Sequence, residues 1–156
     1  MSNAEIGVVL VPVDGSEGSR KAVRVAETVA SALGVPLEFL YAFPRNAIEM
    51  FGPPGEAATE NQIKYLSEDA FAELREDSSR RVFEYARGAL GGGDVSVKEV
   101  LLAGEPADAV IEHAEAAKAP LIVVGSRGMS RFRGLLLGSV SQRLVHHASC
   151  PVTVVR

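Results

Sequence analysis

Apolar residues in this chain fall into short unbroken runs separated by longer stretches with helical spacing. The first run, Ile6 to Val13, reads I-G-V-V-L-V-P-V. A run without polar alternation predicts a strand buried on both faces. Pro12 cannot donate a ladder hydrogen bond and marks the strand's exit. Asp14-Gly15 then predicts a turn. From Ser16 to Leu33, Ala22, Ala26, Val29, Ala30 and Leu33 recur on one helical face, and Gly34 is a natural stop. Leu37 to Phe43 predicts a second strand, closed by Pro44. Arg45 to Ala58 lacks a period and contains Pro53-Pro54-Gly55. It is too long for a simple connection and reads as a flap or a partner surface, with Met50 and Phe51 packing over the domain. Ile63, Leu66, Ala70, Leu74, Val82 and Tyr85 trace one long helix that ends near Gly91-Gly92-Gly93. Val95 to Leu102 predicts the third strand. A helix beginning near Pro106 presents Ala109, Val110, Ala114 and Ala117. Leu121 to Val124 is the fourth strand, Val140 to His147 the last helix, and Val152 to Val155 the fifth strand. Strands and helices in strict alternation predict an α/β fold, a parallel sheet with helices on both faces.

Composition narrows the function classes. The 156 residues are 47% hydrophobic and 23% charged, as in an ordinary globular domain. That length predicts a single domain over 1–156, with residues 2–4 a possible tag remnant. A net charge of −4 argues against broad nucleic-acid binding. No apolar run approaches the ~20 residues of a membrane span. The one cysteine, Cys150, excludes an intrachain disulfide. Together these features predict a cytoplasmic protein.

The candidate chemistry lies after the fourth strand. The apolar run ends at Gly125, and Gly128, Gly138 and Ser139 follow. A glycine-rich turn between a strand and a helix lets backbone N–H groups approach a ligand and permits positive φ. Ser139 is a candidate N-cap. A helix N-terminus carries unpaired N–H groups and a positive dipole end, which suit phosphate. Arg127 adds charge to the loop, whereas Arg131 and Arg133 read as solvated. The same glycines are equally compatible with a purely structural turn. Neither G-x-x-x-x-G-K-[ST] nor a G-x-G-x-x-G after the first strand occurs. His113, His146 and His147 do not form a metal set and read as helix-terminal surface residues. Cys150 reads as a small buried side chain, and no nucleophile elbow is present.

Gly125-x2-Gly128-x9-Gly138-Ser139 resembles the G-x2-G-x9-G-[ST] signature of ATP-binding universal stress proteins. Val11-Pro12-Val13-Asp14-Gly15-Ser16 and Ser149-Cys150-Pro151-Val152-Thr153-Val154-Val155 resemble the same family's opening and end. The resemblance covers essentially the whole chain. It implies a Rossmann-like fold of the adenine nucleotide α-hydrolase type, with five parallel strands in the order 3-2-1-4-5. Asp14 and the Gly125 loop would then face one crevice. The resemblance implies that Pro12 and Val13 pack by the base, that Asp14 meets the adenine or ribose, and that the backbone at Ala42, or Tyr41, meets the adenine. Gly125, Arg127, Gly128, Gly138, Ser139, Val140 and Ser141 would hold the ribose and triphosphate, with Mg²⁺ or Mn²⁺ on the phosphates. Family members dimerise through the last strand, which implies a homodimer through Val152, Thr153, Val154 and Val155. The implied function is an ATP-dependent stress-response sensor or regulator rather than a true enzyme, with slow hydrolysis or autophosphorylation open. The competing readings are a nucleotide-free dimeric interaction protein, a weak ATPase, and an adenylating synthetase. The last is disfavoured because Asp14-Gly15-Ser16-Glu17-Gly18-Ser19 is not a pyrophosphate loop.

Overall fold

A computed structural model describes residues 5–129 and 137–156. Arg131 and Arg133 lie outside the described residues. Five parallel strands form one sheet: β1 (Val8–Pro12), β2 (Leu37–Phe43), β3 (Val97–Ala103), β4 (Pro120–Gly125) and β5 (Val152–Val155). Their order is β3-β2-β1-β4-β5, as the resemblance implied. β1 runs beside β2, with Val9 opposite Leu37, and beside β4, with Val9 opposite Leu121. The chain reverses its direction of winding at β1, so a crevice opens between the carboxyl ends of β1 and β4.

The β1 run is apolar throughout because both of its faces are covered. Val9 and Val11 face a cluster that contains Ala22, Val23, Ala26 and Ala30 of α1 (Glu17–Leu33). Phe83 and Ala86 of α4 (Glu68–Arg87) complete that layer. Val8 and Leu10 face the other way, with Ile122 and Val124. Val110 and Ala114 of α5 (Pro106–Ala116) and Leu144 of α6 (Ser139–His147) close that side. α1 starts where Ser16 turns extended and its hydroxyl accepts from Ser19 N at 3.1 Å. Such a cap is worth about 1 kcal/mol. α1 ends at Gly34 with φ of 66°, a left-handed conformation that glycine takes without penalty. Leu33, placed on the inner face by its spacing, is instead 50% exposed.

The stretch from residue 45 to 67 departs most from expectation. It holds two short helices, α2 (Ala47–Phe51) and α3 (Glu60–Lys64). The single long helix expected from Ile63 to Tyr85 is broken at Tyr65–Ser67. Two caps explain the break. Thr59 and Gln62 form a reciprocal capping box on α3, and Ser67 accepts from Ala70 N to start α4. Ile63 and Leu66, which helical periodicity assigns to a buried stripe, are 60% and 48% exposed.

Ala119, just before β4, has φ of 50° and an exposed side chain. A Cβ is disfavoured there, whereas glycine accepts it. Ala119→Gly should therefore stabilise the protein by up to about 1 kcal/mol, after the greater unfolded-state entropy of glycine is subtracted. A thermal melt should show Tm rising by about 1–3 °C.

Candidate functional site

A cavity of about 310 Å³ opens at the carboxyl ends of β1, β2 and β4. Such a volume lies at the small end for ligand sites. Pro12, Val13 and Asp14 come to it from β1, Ala42 from β2, Gly125, Arg127 and Gly128 from β4 and its loop, and Gly138, Ser139, Val140 and Ser141 from α6. Every residue assigned to a nucleotide from the sequence thus lies around one cavity. Leu40, Val110 and Val124 add apolar wall, and Pro106 opens α5 at its edge. One end is therefore apolar, and the other is built from glycine and serine backbone.

The glycines depart from expectation in their backbone conformation. Gly125, Gly128 and Gly138 all avoid positive φ. Gly125 and Gly128 allow close approach of the chain to itself, whereas a Cβ on Gly138 would meet nothing nearer than 3.4 Å. A Cβ on Gly125 would lie 2.6 Å from the Gly18 carbonyl oxygen in the first turn of α1. One on Gly18 would overlap the Arg127 carbonyl, and one on Gly128 would overlap the Asp14 carboxylate. The β4 loop and the start of α1 are interlocked through these three positions.

Asp14 accepts from Ser16 N at 2.9 Å with the same oxygen that meets the Ser16 hydroxyl. It is therefore a turn-forming side chain whose second oxygen faces Gly128. Ser16 and Ser19 also line the cavity, and both are buried. Their hydroxyls are spent on the α1 cap and on the Ser16 carbonyl. Ser126, which glycine spacing does not single out, anchors the loop. Its N–H donates to Val155 O at 2.7 Å, and its carbonyl accepts from Gly138 N at 2.6 Å and from the Ser141 hydroxyl at 3.1 Å. The Ser141 hydroxyl also meets Gly138 O at 3.0 Å, so its proton belongs to this tether.

The N-cap of α6 is Gly138, with Ser139 the first helical residue rather than the cap. Glycine offers no side-chain acceptor, and α6 has no side-chain cap hydrogen bond. The caps of α1 to α5 are Ser16, Asn46, Thr59, Ser67 and Glu105, each accepting a backbone N–H. Among the described residues, the first amides of α6 thus reach the cavity without a side-chain partner, beside the exposed Ser139. Unpaired amides and the positive dipole end attract an anion. Arg127 stands exposed on the same rim.

Tyr41 reaches the cavity and stacks edge-on to Phe83 at 6.2 Å. Burial, and then the charge of Asp14, raise its pKa above the ordinary 10.0. A raised tyrosine pKa means that stability is intact below the unfolded value and falls as pH climbs through the folded one. Asp14→Asn removes the nearby negative charge, so Tyr41 should ionise at lower pH than in the parent. Tyrosinate absorbance during an alkaline titration reads this, and an unchanged last step would separate the two groups.

Away from the cavity, His113 is not a free surface side chain. Its Nε2 lies 2.8 Å from Glu38 Oε2 of β2, half-buried under α5. Among the described residues, no group of three or more His, Cys, Asp or Glu side chains could hold a metal. Cys150 is half-buried, and burial raises its pKa, which makes it a poor nucleophile. No helix among the described residues is long and apolar enough to cross a membrane.

An open parallel sheet with a cavity at its winding reversal, lined by a glycine loop and a helix start without a side-chain cap, defines a Rossmann-like α/β protein. The chain belongs to the universal stress protein family, whose model matches residues 5–156. It is 30% identical over 151 residues to universal stress protein YxiE of Bacillus subtilis, covering 95% of this chain and 97% of the relative. Its fold is similar to that of universal stress protein UspA from Lactobacillus plantarum, with a TM-score of 0.70, 26% identity, and coverage of 99% and 100% of the two chains. A universal stress protein in complex with cAMP is also similar, with a TM-score of 0.63 at 28% identity over 97% of this chain and 98% of that one.

Proposed function

We propose that this protein binds ATP in the cavity between β1 and the Gly125–Ser139 loop and acts as a nucleotide-dependent regulator of the cytoplasmic stress response. The observation that carries the reading is the N-terminus of α6, which brings amides without a side-chain cap to a cavity otherwise walled by apolar side chains. The base fits the apolar end near Pro12, Leu40, Ala42 and Val124. The phosphates fit the amides from Ser139 to Ser141, with Arg127 at the rim. That a relative at 28% identity was solved with cAMP supports an adenine nucleotide as ligand.

Asp14 is the only carboxylate on the cavity wall among the described residues, and one of its oxygens is held by Ser16. A divalent ion would therefore rest mainly on the phosphates. Among the described residues, no histidine stands there to position a water. This favours binding and release over fast hydrolysis. The second part of the reading is assembly. β5 lies at one edge of the sheet with Thr153 exposed, and an open edge invites a second copy to pair antiparallel through Val152 to Val155. Light scattering should give twice the chain mass, and a monomer at micromolar concentration would remove the dimer.

A ligand that binds only the folded state stabilises it by about 2.7 kcal/mol at a hundredfold excess over Kd. Melting with Mg-ATP, AMP and cAMP should thus raise Tm by about 5–10 °C for at least the preferred nucleotide. No rise with any of the three would reject nucleotide binding. Cleavage of the 45–58 and 126–137 loops by a protease should change with ATP, and identical cleavage would reject a switch.

A further inference from the structure

The segment between β2 and α4 carries a surface for which the cavity has no use. Phe51 stacks on Tyr65 with ring centroids 5.8 Å apart and planes 15° from parallel. Gln62 Nε2 donates to Phe51 O at 3.1 Å, which fixes α2 against α3. Beneath them lie Phe43, Ala47 and Phe71. Outside this layer Ile48, Met50, Ile63 and Leu66 remain exposed, at 52%, 39%, 60% and 48%. They are four of the nine large exposed hydrophobic side chains among the described residues.

Negative charge accumulates along this segment and the first two turns of α4 that follow it. Residues 45–74 hold six acidic and two basic side chains, a net −4, which equals the charge of the whole chain. The remainder is neutral. Both basic groups are engaged locally, Arg45 with Glu49 and Lys64 over the Tyr65 ring. Glu56, Glu60, Glu68, Asp69 and Glu73 form no salt bridge among the described residues.

We infer that the exposed apolar side chains of α2, α3 and the turn after them, with the acidic residues close to them in the chain, form a docking surface for a basic amphipathic helix of a partner protein. Apolar side chains of such a helix would cover Ile48, Ile63 and Leu66, and its lysines or arginines would meet the acidic residues. The same charge excludes other occupants. Two copies of this chain pairing through the face would set −4 against −4. Anionic membranes and nucleic acids would be repelled.

The probe is a fluorescently labelled synthetic Leu/Lys peptide with leucines at helical spacing, titrated with the full chain and followed by anisotropy. Binding should be saturable and weaken as salt rises. The double variant Ile48→Ser/Ile63→Ser should weaken it at least tenfold, Glu56→Gln/Glu60→Gln should weaken it several-fold with a flatter salt dependence, and Leu33→Ser on α1 should leave it unchanged. All of these positions are exposed, and circular dichroism of each variant confirms that folding is retained. Absence of saturable binding, equal loss in Leu33→Ser, or binding untouched by both double variants would overturn the inference. So would binding of the parent to vesicles of anionic lipid. Nucleotide titration of the same variants should be unaltered, which keeps this test separate from that of the cavity.

Discussion

Gly18→Ala should destabilise the protein and weaken nucleotide binding, although alanine is the better helix former. Gly18 sits in the first turn of α1, where propensity alone predicts a gain of about 0.5–1 kcal/mol. The added Cβ would overlap the Arg127 carbonyl, and Gly18 is itself held by its close fit to Gly125. The obstruction is backbone, which cannot swing aside as a flexible side chain can. Overpacking of this kind costs about 1–3 kcal/mol, a fall in Tm of about 2–10 °C. Relief requires the loop after β4 to move away from α1, which carries Arg127 and Gly128 off the cavity rim. Nucleotide affinity should fall at least tenfold, about 1.4 kcal/mol. Urea melts and calorimetry on the one variant read both effects. A more stable Gly18→Ala protein with unchanged affinity would show that the interlock is absent.

Gly138→Asp should move stability and binding in opposite directions. Gly138 caps α6 with φ of −72° and ψ of 169°, a conformation open to any residue. A Cβ there would meet the Ser126 carbonyl oxygen at 3.4 Å, an ordinary contact. Aspartate would therefore fit and would cap the α6 amides with its own carboxylate. The cap adds a few tenths of a kcal/mol over glycine, and a charge at the dipole's positive end adds about 0.3–1 kcal/mol. The unliganded protein should melt slightly higher. The same carboxylate would occupy the place meant for phosphate and repel it, at about 1–4 kcal/mol for charges 4 Å apart. Affinity for ATP should drop by at least tenfold, and for adenosine much less. Loss of stability, or equal loss for both ligands, would assign Gly138 to packing rather than to phosphate recognition.

Much of this architecture could be read from the order of residues. Unbroken apolar runs mark β1 and β4 because side chains on both of their faces are buried, which leaves no room for polar alternation, whereas β2 and β5 each admit a polar residue, Glu38 and Thr153. The strand order is another matter. No local pattern encodes which strands become neighbours, and it came from resemblance to a family. The break between α3 and α4 was missed because Ile63, Leu66, Ala70 and Leu74 keep helical spacing across it. The stronger signals were Thr59-x-x-Gln62 and Ser67 followed by Glu68 and Asp69, both helix-start signatures. The site was half legible. Gly125, Gly128 and Gly138 announce a loop at the cavity, but their partners Gly18, Asp14 and Ser126 lie on other elements or carry no signature, so their interlock follows only from packing. His113 is similar: its partner Glu38 is 75 residues away, and no spacing rule joins them.

The central claim is that the crevice at the α6 N-terminus holds an adenine nucleotide by its phosphates. Calorimetric titration of the purified protein with Mg-ATP, beside the same titration with adenosine, tests it most directly. The account predicts one saturable site per chain, with ATP bound at least tenfold more tightly than adenosine and the difference shrinking in Gly138→Asp. No binding of ATP at millimolar concentration, or adenosine bound as well as ATP, would contradict it and leave the glycine loop as a structural turn.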